Sequence, residues 1–161
     1  MIKTTRMITL IKTTRMITLA VLGMLLASPT SRAAGIDPAA VQFTIPSEIK
    51  WVRNAAGTNE QAVLFGDPAK PGPYVIRIKW LPGNMSRPHF HPNDRFFVVI
   101  SGTWWMGTGE KFDPDSTVPA PAGSYVIHYA KGIHYDGAKD QEAIIQVSGM
   151  GPATSTPAEK K

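Results

Sequence analysis

Between residues 41 and 148 the chain alternates short apolar runs with clusters of glycine and proline, and no segment keeps an apolar position every third or fourth residue over three turns. A helix needs that repeat to bury one stripe, whereas a strand needs only alternate residues on one side. The stretch "YVIRIKWL" has the second pattern, with Tyr74, Ile76, Ile78 and Trp80 on one face and Arg77 and Lys79 on the other. The same reading predicts strands over 41–45, 49–53, 61–66, 73–81, 95–101, 103–107, 124–129 and 142–148. Turn-forming segments such as "GDPAKPGP", "LPGN", "SGTW" and "YDGAKD" separate them. Short strands with turns and no helix between them imply an all-β single domain, a sandwich or a barrel. The closing "GPATSTPAEKK" has little to bury and reads as a disordered tail over 151–161.

The N-terminus follows another rule. "IKTTRMITL" occurs at 2–10 and again at 11–19, too short a repeat for a stacking unit, and reads as a duplicated leader. The uncharged "MITLAVLGMLLA" follows, then Ser31 and Ala33 as small residues at the −3 and −1 positions of a cleavage site. Residues 1–33 are therefore expected to be a signal peptide with a duplicated n-region, 34–40 a linker and 41–150 the domain. The apolar run is shorter than the ~18 to 20 residues of a membrane span, so no stable anchor is expected after cleavage. The expected location is the periplasm or the exterior.

Charge changes one conclusion. The formal net charge of +5 suggests nucleic acid, but five of the 17 Lys and Arg lie in the first 33 residues, leaving 12 basic against 12 acidic residues. A neutral body has no footprint for phosphates, so no nucleic-acid partner is expected. With no cysteine, disulfides and thiolate chemistry are excluded.

All four histidines fall between 89 and 134. His89 and His91, two apart at the start of a strand, leave the same face with Cα atoms about 6.5 Å apart. Two imidazoles at that separation can converge on one ion. His134 follows the Gly-containing turn of "YAKGIH" and is the candidate third ligand from a neighbouring strand end. His128, flanked by "YVI" and Tyr129, reads first as a pocket-wall or core histidine and only second as a ligand.

The spacing around these histidines sharpens the picture. Gly83, five residues, His89, one, His91, three, position 95, six, and Gly102 resembles the first signature of the cupin superfamily, G(x)5HxH(x)3–4E(x)6G. Gly123, five residues, Tyr129, one, Lys131, two, His134, three, Ala138 has the spacing of the second, G(x)5PxG(x)2H(x)3N. The resemblance spans residues 83–138 and implies a jelly-roll barrel, the double-stranded β-helix, with one divalent metal ion (Fe, Mn, Ni, Cu or Zn) held at its mouth by His89, His91 and His134. It also implies a small-molecule ligand and, by pairing of sheets, a homodimer. The implied activity is that of a metal-dependent oxygenase or isomerase, with a non-catalytic binding module as the alternative.

The pattern breaks at four places. Tyr129, Lys131 and Ala138 replace a Pro, a Gly and an Asn, which alters loop shape. Arg95 replaces the glutamate ligand, which alters chemistry, since a guanidinium has no lone pair to give. At about 5 Å and an effective dielectric near 20, its charge repels a divalent ion by about 6 to 7 kcal/mol. Three resolutions stand open. A bulge at "PND" turns Asp94 inward as the carboxylate ligand; or Arg95 points inward and grips an anionic substrate that bridges to the metal; or the barrel holds no metal. Phe97 and Tyr125 fall on parities that face the interior and join Arg95 as candidate substrate contacts.

Overall fold

The computed structural model describes residues 35–160, so the expected signal peptide lies outside the described residues. The chain divides into two units, Met1–Val41 and Gln42–Lys161. In the first, the described part is a turn in which the Asp37 carbonyl accepts from the amides of Ala40 and Val41. The second carries the fold. Its strands are β1 (Val52–Arg53), β2 (Asn59–Phe65), β3 (Gly72–Trp80), β4 (Asn84–Met85), β5 (His89–Phe90), β6 (Arg95–Ser101), β7 (Thr103–Thr108), β8 (Val118–Pro121), β9 (Tyr125–His128), β10 (His134–Ala138), β11 (Ala143–Gly151) and β12 (Thr156–Pro157).

They form two antiparallel sheets. One has the order β1-β2-β3-β11-β6-β9 and the other β12-β5-β10-β7-β8, with β4 also pairing β10. The neighbours that are far apart in sequence, β3 with β11 and β5 with β10, are what make the fold a jelly roll rather than a run of hairpins. Alternation decides which face of each strand is core. Tyr74, Ile76, Ile78 and Trp80 of β3 are buried as the sequence predicts, together with Phe97 and Val99 of β6 and Ile145 and Val147 of β11. Trp104 of β7 is fully buried between the layers. On the opposite face of β3, Arg77 bonds Gln146 and Lys79 pairs with Glu60, both in water's reach.

Three sequence expectations are corrected. Residues 41–45 are not a strand: Val41, Phe43 and Ile45 alternate but stay exposed, and the segment runs into a single 3-10 turn at Pro46–Glu48. Alternation without a partner strand buries nothing. β10 escapes a period-2 reading for the opposite reason, since all five of its residues are buried and no exposed face marks it. The expected tail is the third. Residues 152–160 are ordered by specific bonds: β12 pairs with β5, the amides of Ala158 and Lys160 donate to the carbonyls of Pro88 and Glu110, and Arg87 binds the Glu159 carboxylate. Low hydrophobicity misled here because backbone bonds and one ion pair, rather than apolar burial, hold the segment.

Two turn positions carry backbone requirements. Gly102 turns β6 into β7 at φ 72°, and a Cβ there would lie 2.1 Å from the Glu142 carbonyl oxygen. Lys131 has φ 61°, at the place where the second signature has glycine. Its amide donates to the His91 carbonyl, which fixes the conformation. A left-handed L-residue costs ~1 to 2 kcal/mol, and glycine gives back ~0.5 to 1 through its freer unfolded chain. Lys131→Gly is expected to stabilise the protein by about 0.5 to 1 kcal/mol in urea unfolding; a destabilised variant would show that the lysine side chain holds the turn.

Candidate metal centre

Four short elements bring the histidines together. β5 and β10 are antiparallel neighbours with His89 directly opposite His134, and His91 follows β5 by one residue. In β6 and β9 Arg95 lies opposite His128, on the inward face shared with Phe97. Ring centroids are 4.9 Å apart for His89 and His91, 4.5 Å for His89 and His134, and 5.4 Å for His91 and His134. One nitrogen from each of the three rings lies within 4.8 Å of the others.

Hydrogen bonds then decide which nitrogen faces inward. Nδ1 of His89 is 2.8 Å from the Arg87 carbonyl, Nδ1 of His91 is 2.8 Å from that of Thr154, and Nδ1 of His134 is 2.9 Å from that of Gly132. A carbonyl only accepts, so each Nδ1 carries the proton and, in a neutral ring, each Nε2 keeps its lone pair. Burial, reinforced by the Arg95 charge, lowers the His91 pKa to about 3. Burial likewise lowers that of His134, against the pull of Asp136. The Nε2 atoms of His89 and His91 face each other at 3.2 Å, as two acceptors when both rings are neutral, and Nε2 of His134 is buried without a partner. Crowded lone pairs of this kind are a donor set for a cation. A divalent ion fits them in identity, number and direction.

Arg95 complicates that fit. Its Nη1 donates to Nε2 of His91 at 2.6 Å, so one of the three lone pairs is already engaged by a cation of the chain itself. The carboxylate expected to balance it is elsewhere: Asp94 is exposed and accepts from the Ala130 amide at 2.7 Å. No bulge turns Asp94 inward, because Arg95 starts β6 in regular register with His128. Tyr125 is corrected as well. It lies opposite Val98, on the outer face, and is 63% exposed; Val126, opposite Phe97, takes the inward place.

His128 is a wall of the site. Its ring packs 3.9 Å from that of His134, 4.5 Å from Phe97 and 5.3 Å from Trp104. Burial first, then the neighbouring His134, lower its pKa to about 2. Sequence reading missed three contributors. Asp136 is buried on β10 two residues beyond His134, a parity that could have drawn it to the same face. Thr154, whose carbonyl orients His91, lies in the segment read as tail. Trp80 points a buried, unpartnered indole N–H, and no polar sequence signal announced it.

The centre opens into a cavity of about 580 Å³ walled by apolar Ile76, Ile78 and Phe97, with Arg95, Asp136, Trp80 and Asn59 among its polar residues. Ala153, Ser155 and Pro157 of the C-terminal segment close one side.

Neither a family model nor a curated protein sequence matches the chain. Solved structures do. The polyketide cyclase RemF from Streptomyces resistomycificus superposes with a TM-score of 0.62 at 13% identity, over 75% of this chain and 87% of the cyclase. A protein with a double-stranded β-helix domain from Klebsiella pneumoniae gives 0.53 at 22% identity over 68% and 91%. An RmlC-like cupin from Shewanella frigidimarina gives 0.53 at 12% over 68% and 90%. With two sheets rolled on one core and neighbours of this architecture, the chain has the cupin fold, the double-stranded β-helix.

Proposed function

We propose that this protein is an exported, metal-dependent enzyme acting on a small, partly apolar anion, of oxygenase or isomerase type. The observation that carries the reading is the set of three histidine rings with one nitrogen each within 4.8 Å of the others, every Nδ1 held by a carbonyl so that Nε2 is the atom left for an ion. A bound divalent ion would supply Lewis-acid or redox chemistry and lower the pKa of a coordinated ligand. What the chain itself contributes is positioning. His89, His91 and His134 would hold the ion, and the Arg87, Thr154 and Gly132 carbonyls fix their tautomers. Arg95 has five donors and a permanent charge, of which its buried Nε–H is unpartnered. It would bind a carboxylate or enolate oxygen and present that anion to the centre, leaving His91 as it does so. Ile76, Ile78 and Phe97 take the apolar part of the substrate and exclude water. The polyketide cyclase among the structural neighbours shows that this architecture accommodates an enzyme.

A second reading, a non-catalytic ligand-binding module, is favoured by one contact, that of Arg95 with Nε2 of His91, which occupies a lone pair without any metal. Metal-loaded protein offered carboxylates, enolisable diketones and phenols distinguishes the two. Conversion of one class is expected, with KM raised about 10- to 100-fold in Arg95→Gln by loss of a charge-assisted pair worth ~1.5 to 3 kcal/mol. A ligand that raises the melting temperature but is never converted would leave the binding module standing.

A further inference from the structure

Sharing His134 with the three-histidine set is a second group able to hold a cation, and its Asp136 lines the same main cavity as His89 and His91. His128, His134 and Asp136 each offer one atom, all within 4.8 Å of one another. Asp136 is 6% exposed, and Trp104 Nε1 donates to its Oδ1 at 3.1 Å. The other oxygen, Oδ2, stands 4.0 Å from Nε2 of His134, the buried nitrogen that has no partner. Because Nδ1 of His134 is committed to the Gly132 carbonyl, these two atoms face each other as lone pairs with no proton between them. Two ligand atoms bound at ~2.0 to 2.2 Å in a tetrahedral site are ~3.3 to 3.6 Å apart, so a side-chain adjustment of under about 1 Å closes the observed gap on an ion. Nδ1 of His128, buried and likewise unpartnered, completes a set of two imidazoles and one carboxylate.

Charge distinguishes this seat from the outer one. The outer set has no carboxylate and carries the Arg95 guanidinium on His91. The inner group holds a carboxylate, and Arg95 does not touch it among the described hydrogen bonds. The carboxylate that the first signature places at position 95 is thus restored from β10 at position 136. Between the walls of β7 and β9 a further cavity of about 300 Å³ reaches His128 and His134, so water can complete the coordination.

We infer that His128, His134 and Asp136 form the resting metal seat of this protein, sharing His134 with the outer histidines, so that a single ion sits inside while Arg95 lies across His91. This rests on the reading of the protein as metal-binding and specifies which residues do the binding when no anionic substrate is present.

The test is calorimetric titration of the purified, metal-stripped protein with zinc chloride, without added organic anion. Asp136→Asn keeps the acceptor for Trp104, so it is expected to fold and to bind zinc at least 100-fold more weakly; His128→Leu should do the same. His89→Ala, which touches only the outer seat, should stay within about 10-fold of the parent. The reverse order, with His89→Ala losing zinc and Asp136→Asn retaining it, overturns the inner seat while upholding the metal-dependent reading. No zinc bound by the parent protein overturns both. Zinc K-edge absorption of the parent gives a measure independent of variant folding: two imidazoles with oxygen are expected, and three imidazoles would sink the inference.

Discussion

Replacing His89 and His134 together by alanine is expected to abolish metal retention, and with it any stabilisation by added metal. His134 belongs to both possible seats and His89 to the outer one, so no arrangement of three ligands survives the pair. A ligand that binds only the folded state stabilises by about 4 kcal/mol at a thousand times its dissociation constant. The parent protein should therefore gain several degrees in melting temperature with saturating zinc or nickel, and the double variant none. The metal-free forms should differ much less, since Nε2 of His134 has no partner to lose and Nε2 of His89 meets only that of His91. Elemental analysis of both proteins, purified without added metal, checks the first part, and thermal unfolding with and without metal checks the second. Stoichiometric metal in the double variant would refute the histidine centre altogether.

Truncation after Gly151 is the second large effect expected. The segment it removes supplies the Thr154 carbonyl to Nδ1 of His91, pairs β12 with His89 and Phe90 of β5, and packs Ala153 against the core. Losing an outer-shell acceptor of a metal-binding histidine costs typically 10- to 100-fold in affinity. Here that loss would fall on the outer seat, because Thr154 touches none of the inner residues among the described hydrogen bonds. The same truncation should lower unfolding free energy by roughly 2 to 3 kcal/mol, from the backbone bonds at ~1 kcal/mol each. Glu159→Ala separates these causes. Arg87, which it leaves unpaired, is exposed, so the variant should lose little stability and keep its metal. Activity and metal affinity unchanged in the truncated protein would mean that the strap is only a cover.

The imprint of the barrel on the sequence was strong where one face meets water. β6 occupies 95–101 and β3 runs 72–80, within a residue of the alternation that announced them, because a half-buried strand must alternate. Where both faces are buried, as in β10, or where a strand is only two residues long, as in β4, β5 and β12, no period exists to read. The site divides in the same manner. His89, His91 and His134 are local in pattern, two on one strand and one after a turn, and the structure brings their rings together. Arg95 also follows simple parity inward, which rules out the bulge that would have turned Asp94 to the centre.

What the amino-acid order determined unaided is therefore the class of fold and the identity of the clustered imidazoles, since both depend on residue spacing within short stretches of chain, while it left the direction of Arg95 open. Tertiary structure alone decided that Asp136 faces His134, that Thr154 holds His91 and that Tyr125 looks outward. Those relations join strands whose pairing register is set by the whole core, and a register moved by one residue would reverse every face involved.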